Sequence, residues 1–276
     1  MSSQASAITL PAINSGDRVT QARVALSEWT KLRSLRSTRV ALLATVASTI
    51  GLGILNTAVT ASSWSTMPAA SKATFEPLTA SLTGVTFGAL AIGVLGVLLM
   101  TGEYTTGMVR STFAAVPRRL PVLWAKGGVY WFVALVLAVP STLIAFFAGQ
   151  AFLGSHHIEV AFSHPGVAGA VFGTALYLTL IGLFGFGIGA ILRNTAAGIA
   201  TLVGILYLLP RVVTLVLPIG TANAIAPYLP SNAGSAIMHL GTQAHRLSPW
   251  GGLALFAGYV AVAIGAAAVL LVRRDV

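Results

Sequence analysis

The chain has 276 residues, of which 56% are hydrophobic and only 8% charged, whereas an ordinary soluble domain carries about 25% charged residues. That excludes a water-soluble globule, and the net charge of +10 together with a mean hydropathy of +0.86 is better explained by a membrane than by nucleic acid. With no cysteine, disulfides, thiolate zinc sites, iron–sulfur clusters and a cysteine nucleophile are excluded together.

Residues 1–19 are rich in Ser and Ala and lack both a basic n-region and a long apolar run, so they read as a disordered cytoplasmic tail rather than a signal peptide. Residues 20–39 read as an amphipathic interfacial helix, with Ala22, Ala25, Leu26, Trp29 and Leu32 in one arc and Arg23 and Lys31 off it. From residue 40 onward the chain reads as one six-span membrane domain, with spans at roughly 40–60, 82–101, 127–153, 167–192, 197–217 and 250–272. The expected class is therefore an all-α polytopic membrane protein, since an open sheet cannot satisfy its backbone in lipid.

Between spans two and three, residues 100–126 form the longest loop on the basic side. Glu103 stands at the end of an uncharged span, where an unpaired carboxylate is costly, so a basic partner is expected: Arg110 or the pre-span helix. Pro117 and Pro121 bracket Arg118 and Arg119 and are expected to end a short helix over about 105–116. Pro140 is expected to kink the third span. Pro210, Arg211 and Pro218 interrupt the fifth, which is expected to end early and continue as a re-entrant segment before the last span.

Thirteen Lys and Arg fall before span one, between spans two and three, after span four and after span six, against Lys72 and Arg246 on the other side. By the positive-inside rule both termini are cytoplasmic, in the plasma membrane. The same cations attract anionic lipid headgroups, and nucleic acid is not needed as a partner.

Two segments carry a family resemblance. Glu28-Trp29-Thr30-Lys31-Leu32-Arg33-Ser34, followed by Gly102-Glu103-Tyr104, Gly107, Arg110 and Pro117-Arg118-Arg119, is similar to type-2 permease subunits of ATP-binding-cassette (ABC) exporters. The resemblance covers nearly the whole chain in span number and loop lengths. It implies that Glu28, Trp29 and Lys31 lie in one contact element for a separate ATPase subunit, and that Glu103, Tyr104, Arg110, Arg118 and Arg119 lie in the coupling element. It also implies re-entrant helices before the last span.

The residues agree with such a role. A phosphate-binding P-loop needs G-x-x-x-x-G-K-[ST], and Lys31, Lys72 and Lys126 follow Thr, Ser and Ala, so this chain is expected to be no enzyme. ATP and magnesium belong to the partner ATPase, and a second permease copy or paralogue completes the transporter. Nearly uncharged spans suit a hydrophobic or amphipathic cargo.

Competing signals are weaker. Gly84 and Gly88, Gly169 and Gly173, and Gly185 and Gly189 stand four apart and suit close packing within the chain better than dimerisation. Arg211 is a candidate for the translocation path, or else sits at the outer interface. His156, His157, His164, His239 and His245, with Glu159, fall in external loops and read as solvated rather than as a metal site. An intramembrane enzyme would need a nucleophile and base or paired acids inside spans. The alternative function is an ion-coupled secondary transporter or channel without an ATPase, which would usually need intramembrane carboxylates.

Overall fold

The computed structural model describes residues 21–105, 119–241 and 245–273. Every regular element among them is helical, and six helices are long and apolar enough to cross a membrane: Arg36–Thr66, Val85–Tyr104, Leu120–His156, Val167–Leu192, Thr195–Val216 and Pro249–Arg273. The chain is thus an all-α multi-pass membrane protein. The tail assigned to residues 1–19 lies outside the described residues.

Helix α1 (Gln21–Ser34) precedes the first span and is separated from α2 (Arg36–Ser63) by Leu35 in extended conformation. The helix expected over residues 20–39 is therefore two helices: Arg36 and Arg39 belong to the first spanning helix. Short helices α3 (Ala69–Ala73) and α4 (Pro77–Ser81) lead to α5 (Val85–Thr105), the second span. Helix α6 (Arg119–Leu153) is the third, longer at its start than residue 127. Pro121 sits in the first turn of α6, where a missing N–H costs no intrahelical bond; the short helix expected over about 105–116 lies outside the described residues.

Helix α7 (Val167–Leu192), the fourth span, ends on Arg193, whose left-handed conformation (φ 53°) sends its N–H to Gly189 O. Asn194 then caps α8 (Thr195–Val203), accepting a 2.9 Å hydrogen bond from the Ala197 N–H. Two residues thus reverse the chain between spans four and five. The fifth span does not stop at Pro210. It passes through a wider π-type turn at Gly204–Leu208 into α9 (Leu209–Val216), and the wide turn lies where the Pro210 ring would otherwise meet the carbonyl four residues earlier. The break comes at Leu217, held extended by Pro218. Short helices α10 (Ile219–Ile225) and α11 (Pro230–Ser235) double back before the last span, α12 (Pro249–Arg273).

Helix α7 is the most enclosed of the six spans, and it meets α5 without side chains between the backbones. A Cβ added at Gly96 would stand 2.1 Å from Gly182 O, and one at Gly185 would stand 2.1 Å from Gly93 O. Small residues allow this approach, which is how apolar helices gain contact when lipid removes the hydrophobic drive. Gly84 and Gly88 likewise face Ser48 and Thr49 of α2, and Gly189 faces Val97. These glycines serve packing inside the chain. A deep core of Leu178, Ile181, Phe186 and Phe256 fills the bundle, while Leu43, Phe132, Leu215 and Val262 on the outer faces are exposed.

Candidate functional site

The site is built at the end of the bundle where α1, α5 and α6 meet. On α1 the inward face carries Ala25, Glu28 and Leu32, a three-then-four spacing that places them on one side of the helix. Ala25 packs on Val122 and Ala125 of α6. Of the expected apolar arc, Leu32 is buried in the protein, while Leu26 and Trp29 point away from it, at 65% and 42% exposure. The face that packs is thus the one bearing a carboxylate, and the apolar pair is left for the surroundings.

Glu28 is only 4% exposed. One of its carboxylate oxygens accepts a 2.8 Å hydrogen bond from Lys31 Nζ, and the other lies 3.4 Å from Lys126 Nζ. Both ammonium groups also reach Glu103 Oε1, Lys31 at 3.1 Å and Lys126 at 2.5 Å. Among the described residues, two acids and two bases therefore alternate in a closed ring. Lys31 and Glu28 come from α1, Glu103 from the last turn of α5, and Lys126 from the second turn of α6. Burial disfavours the charged form of Lys31, but its hydrogen bond to Glu28 and the charges of Glu103 and Glu28 outweigh that and hold its ammonium above its ordinary value of 10.5.

Such a ring is a poor source of net stability, because desolvation absorbs most of the Coulombic gain, yet removing one member leaves a buried charge uncompensated. What it supplies is position: α1 is fixed to the ends of two spans by contacts that no single apolar residue could replace.

The neighbour of Glu103 faces another way. The Arg193 guanidinium lies 5.2 Å from the centre of the Tyr104 ring, in cation–π range, and donates from Nη2 to Leu270 O of α12 at 3.4 Å. Thr195 Oγ1 donates to Thr101 Oγ1 at 2.8 Å. Consecutive residues of α5 thus join α1 and α6 on one side and the ends of spans four, five and six on the other.

No family model and no curated protein matches the chain. The site therefore rests on geometry. Of the residues read from the sequence, Glu28, Lys31, Glu103 and Tyr104 come together here. Trp29 lies on the outward face of the same helix. Arg110 and Arg118 lie outside the described residues, and Arg119 begins α6. Among the described residues Glu103 is paired with Lys31 of the pre-span helix, one of the two expected sources, and with a residue not expected; the other expected partner, Arg110, lies outside the described residues.

That residue is Lys126. From the sequence it is expected at the end of the loop over residues 100–126. In the structure it is a buried residue of α6, 4% exposed, within the third span. Its signal was available, since Val122, Lys126 and Tyr130 repeat every four residues on one helix face, and both Val122 and Tyr130 are buried.

Arg211 lies at the opposite end of the bundle, on α9, where it borders a cavity of about 350 Å³ between α5, α7, the fifth span and α11. Tyr207 crosses that space, donating to Thr86 O at 2.6 Å. Nearby, His239 Nδ1 lies 2.7 Å from Glu76 Oε2, which also accepts a 2.8 Å bond from Thr79 Oγ1. His239 is therefore a partnered residue and not a solvated one, whereas His156, His157, His164 and His245 are exposed. Among the described residues no three acidic or histidine side chains gather as a metal site.

Proposed function

We propose that this chain is the membrane-spanning permease subunit of an ABC exporter in the plasma membrane, with both termini cytoplasmic. A separate ATPase subunit supplies ATP hydrolysis, and the cargo is a hydrophobic or amphipathic molecule. The observation that carries the reading is the closed ring of Glu28, Lys31, Glu103 and Lys126. It ties together the two segments whose sequence resembles the ATPase-contact elements of type-2 permeases, so a push on either is passed to spans two and three as one body.

The mechanism follows from linkage. ATP-bound and ATP-free ATPase pairs shift the permease between two arrangements only insofar as they bind those arrangements with different affinity. The differential contact falls on α1 and on the segment after Glu103. A rigid joint there converts that difference into displacement of α5 and α6, and the glycine-lined seam between α5 and α7 carries it onward. Glu103 and Glu28 are each neutralised by lysine, which suits a mechanical joint better than a site for a coupling cation, so the ring does not favour an ion-coupled transporter. A second permease copy or a paralogue is proposed to complete the transporter.

Affinity purification with the P-loop ATPase encoded nearest to this chain tests the reading. Co-purification of a stoichiometric complex is expected, and consistent failure to bind any such ATPase removes the main support.

A further inference from the structure

We infer that the cleft at the end of the bundle opposite the charge ring binds an amphiphile with an anionic headgroup, held between Arg211 and Arg246 with its chain against spans two, four and five. Three cavities of about 350, 400 and 700 Å³ adjoin there. The first two share Thr86, Asn232, Ser235 and Met238, and the second and third share Thr79, Thr83, His239 and Arg246. They are neighbours that share walls, and each is of the size that holds a drug-like or lipid-like ligand and far larger than a bare inorganic ion requires.

Charge decides the headgroup. Among the described residues lining these cavities Glu76 is the only carboxylate, against Arg211 and Arg246, and it is already engaged by His239 and Thr79. Thr83 and Ser235 already donate to the carbonyls of Thr79 and Asn232, and Asn232 Nδ2 donates to Ala226 O, so the guanidinium groups are the principal donors for an oxyanion. A cationic headgroup would meet two guanidinium groups, whereas a phosphate or carboxylate is matched by them.

Lining and access decide the tail. The first cavity is walled by Val85, Ala89, Ile181 and Leu206 beneath Arg211. Arg211 itself stands on α9 beside Leu208, Val212 and Leu215, all exposed apolar residues. An apolar chain arriving from the surrounding lipid can therefore reach the wall while the headgroup stays with the arginines, the arrangement in which each half of an amphiphile is solvated by its own kind. This inference does not depend on the ATPase, since binding needs no nucleotide, so its failure and that of the transporter reading are separable.

The test is equilibrium binding to the full chain in phosphatidylcholine nanodiscs, with dodecyl phosphate, dodecylphosphocholine and inorganic phosphate as probes. Dodecyl phosphate is expected to bind about tenfold or more tighter than dodecylphosphocholine, the scale of one hydrogen bond to a charged group. Arg211→Gln and Arg246→Gln should each remove most of that preference, and inorganic phosphate should not displace the probe. Both arginines are exposed, so the variants leave the packed core intact. Equal affinity for the two amphiphiles, or a preference that survives both substitutions, would overturn the assignment. Displacement by inorganic phosphate at matched concentration would overturn it too, by marking a bare anion site.

Discussion

Lys126 of the third span lies within 3.4 Å of Glu28 on the helix before the first span, and both side chains are almost wholly buried. Two groups so distant in sequence and so close in space mean that α1 is no loose interfacial anchor. Its position is set by the same lysine that neutralises Glu103.

Glu28→Gln is expected to destabilise the fold by about 3 kcal/mol, because it leaves one ammonium of the ring uncompensated in a buried setting. The paired change Glu28→Gln with Lys126→Met restores neutrality and should recover much of the loss. Thermal melting of the purified variants in one detergent ranks them. Additive losses in the double variant would show that the two groups do not act as a unit.

Gly185 faces the backbone of Gly93, with no room for a methyl group. Gly185→Ala is expected to cost about 1–3 kcal/mol by forcing α5 and α7 apart. Gly258 of α12 has no atom near its missing Cβ, and Gly258→Ala should be neutral or stabilise by about 0.5–1 kcal/mol through improved helix propensity. Melting midpoints moving in opposite directions would bear this out, and equal shifts would contradict it.

Glu76 gives a pH dependence of definite sign. Burial would raise its pKa, but hydrogen bonds from His239 and Thr79 and the positive charge of Arg246 outweigh that and hold it below its ordinary 4.5. A carboxylate depressed in the folded state contributes stability that is complete above about pH 4.5 and is lost as pH falls through the folded value. Wild type is expected to melt higher than Glu76→Gln near neutrality, with the difference shrinking only below that pH. A gap that stays constant down to pH 3 would contradict the assignment.

Much of this architecture is legible in the chain itself. The six spans follow from apolar runs of spanning length, and Glu103 advertised its need for a cation by its place at the end of one. Lys126 was harder to place, because a lysine near two prolines looks like loop until Pro121 is read as the first turn of a helix. The packing face of α1 is not legible in its apolar arc, because that face is chosen by the charge on α6. The fifth span outlasts Pro210 because a wide turn accommodates the ring, a local device without a composition signal. His239 and Glu76 meet only through tertiary folding, and nothing local in the sequence announces their pairing.

The central claim is that the charge ring transmits force from an ATPase to the spans. Cargo-stimulated ATP hydrolysis by the reconstituted complex, compared between wild type and Glu103→Ala at matched assembly, tests it most directly. Stimulation is expected to fall by about 5–150-fold, the range of ordinary coupling energies, while the permease and ATPase still co-purify. Unchanged stimulation in a fully assembled Glu103→Ala complex would contradict the account.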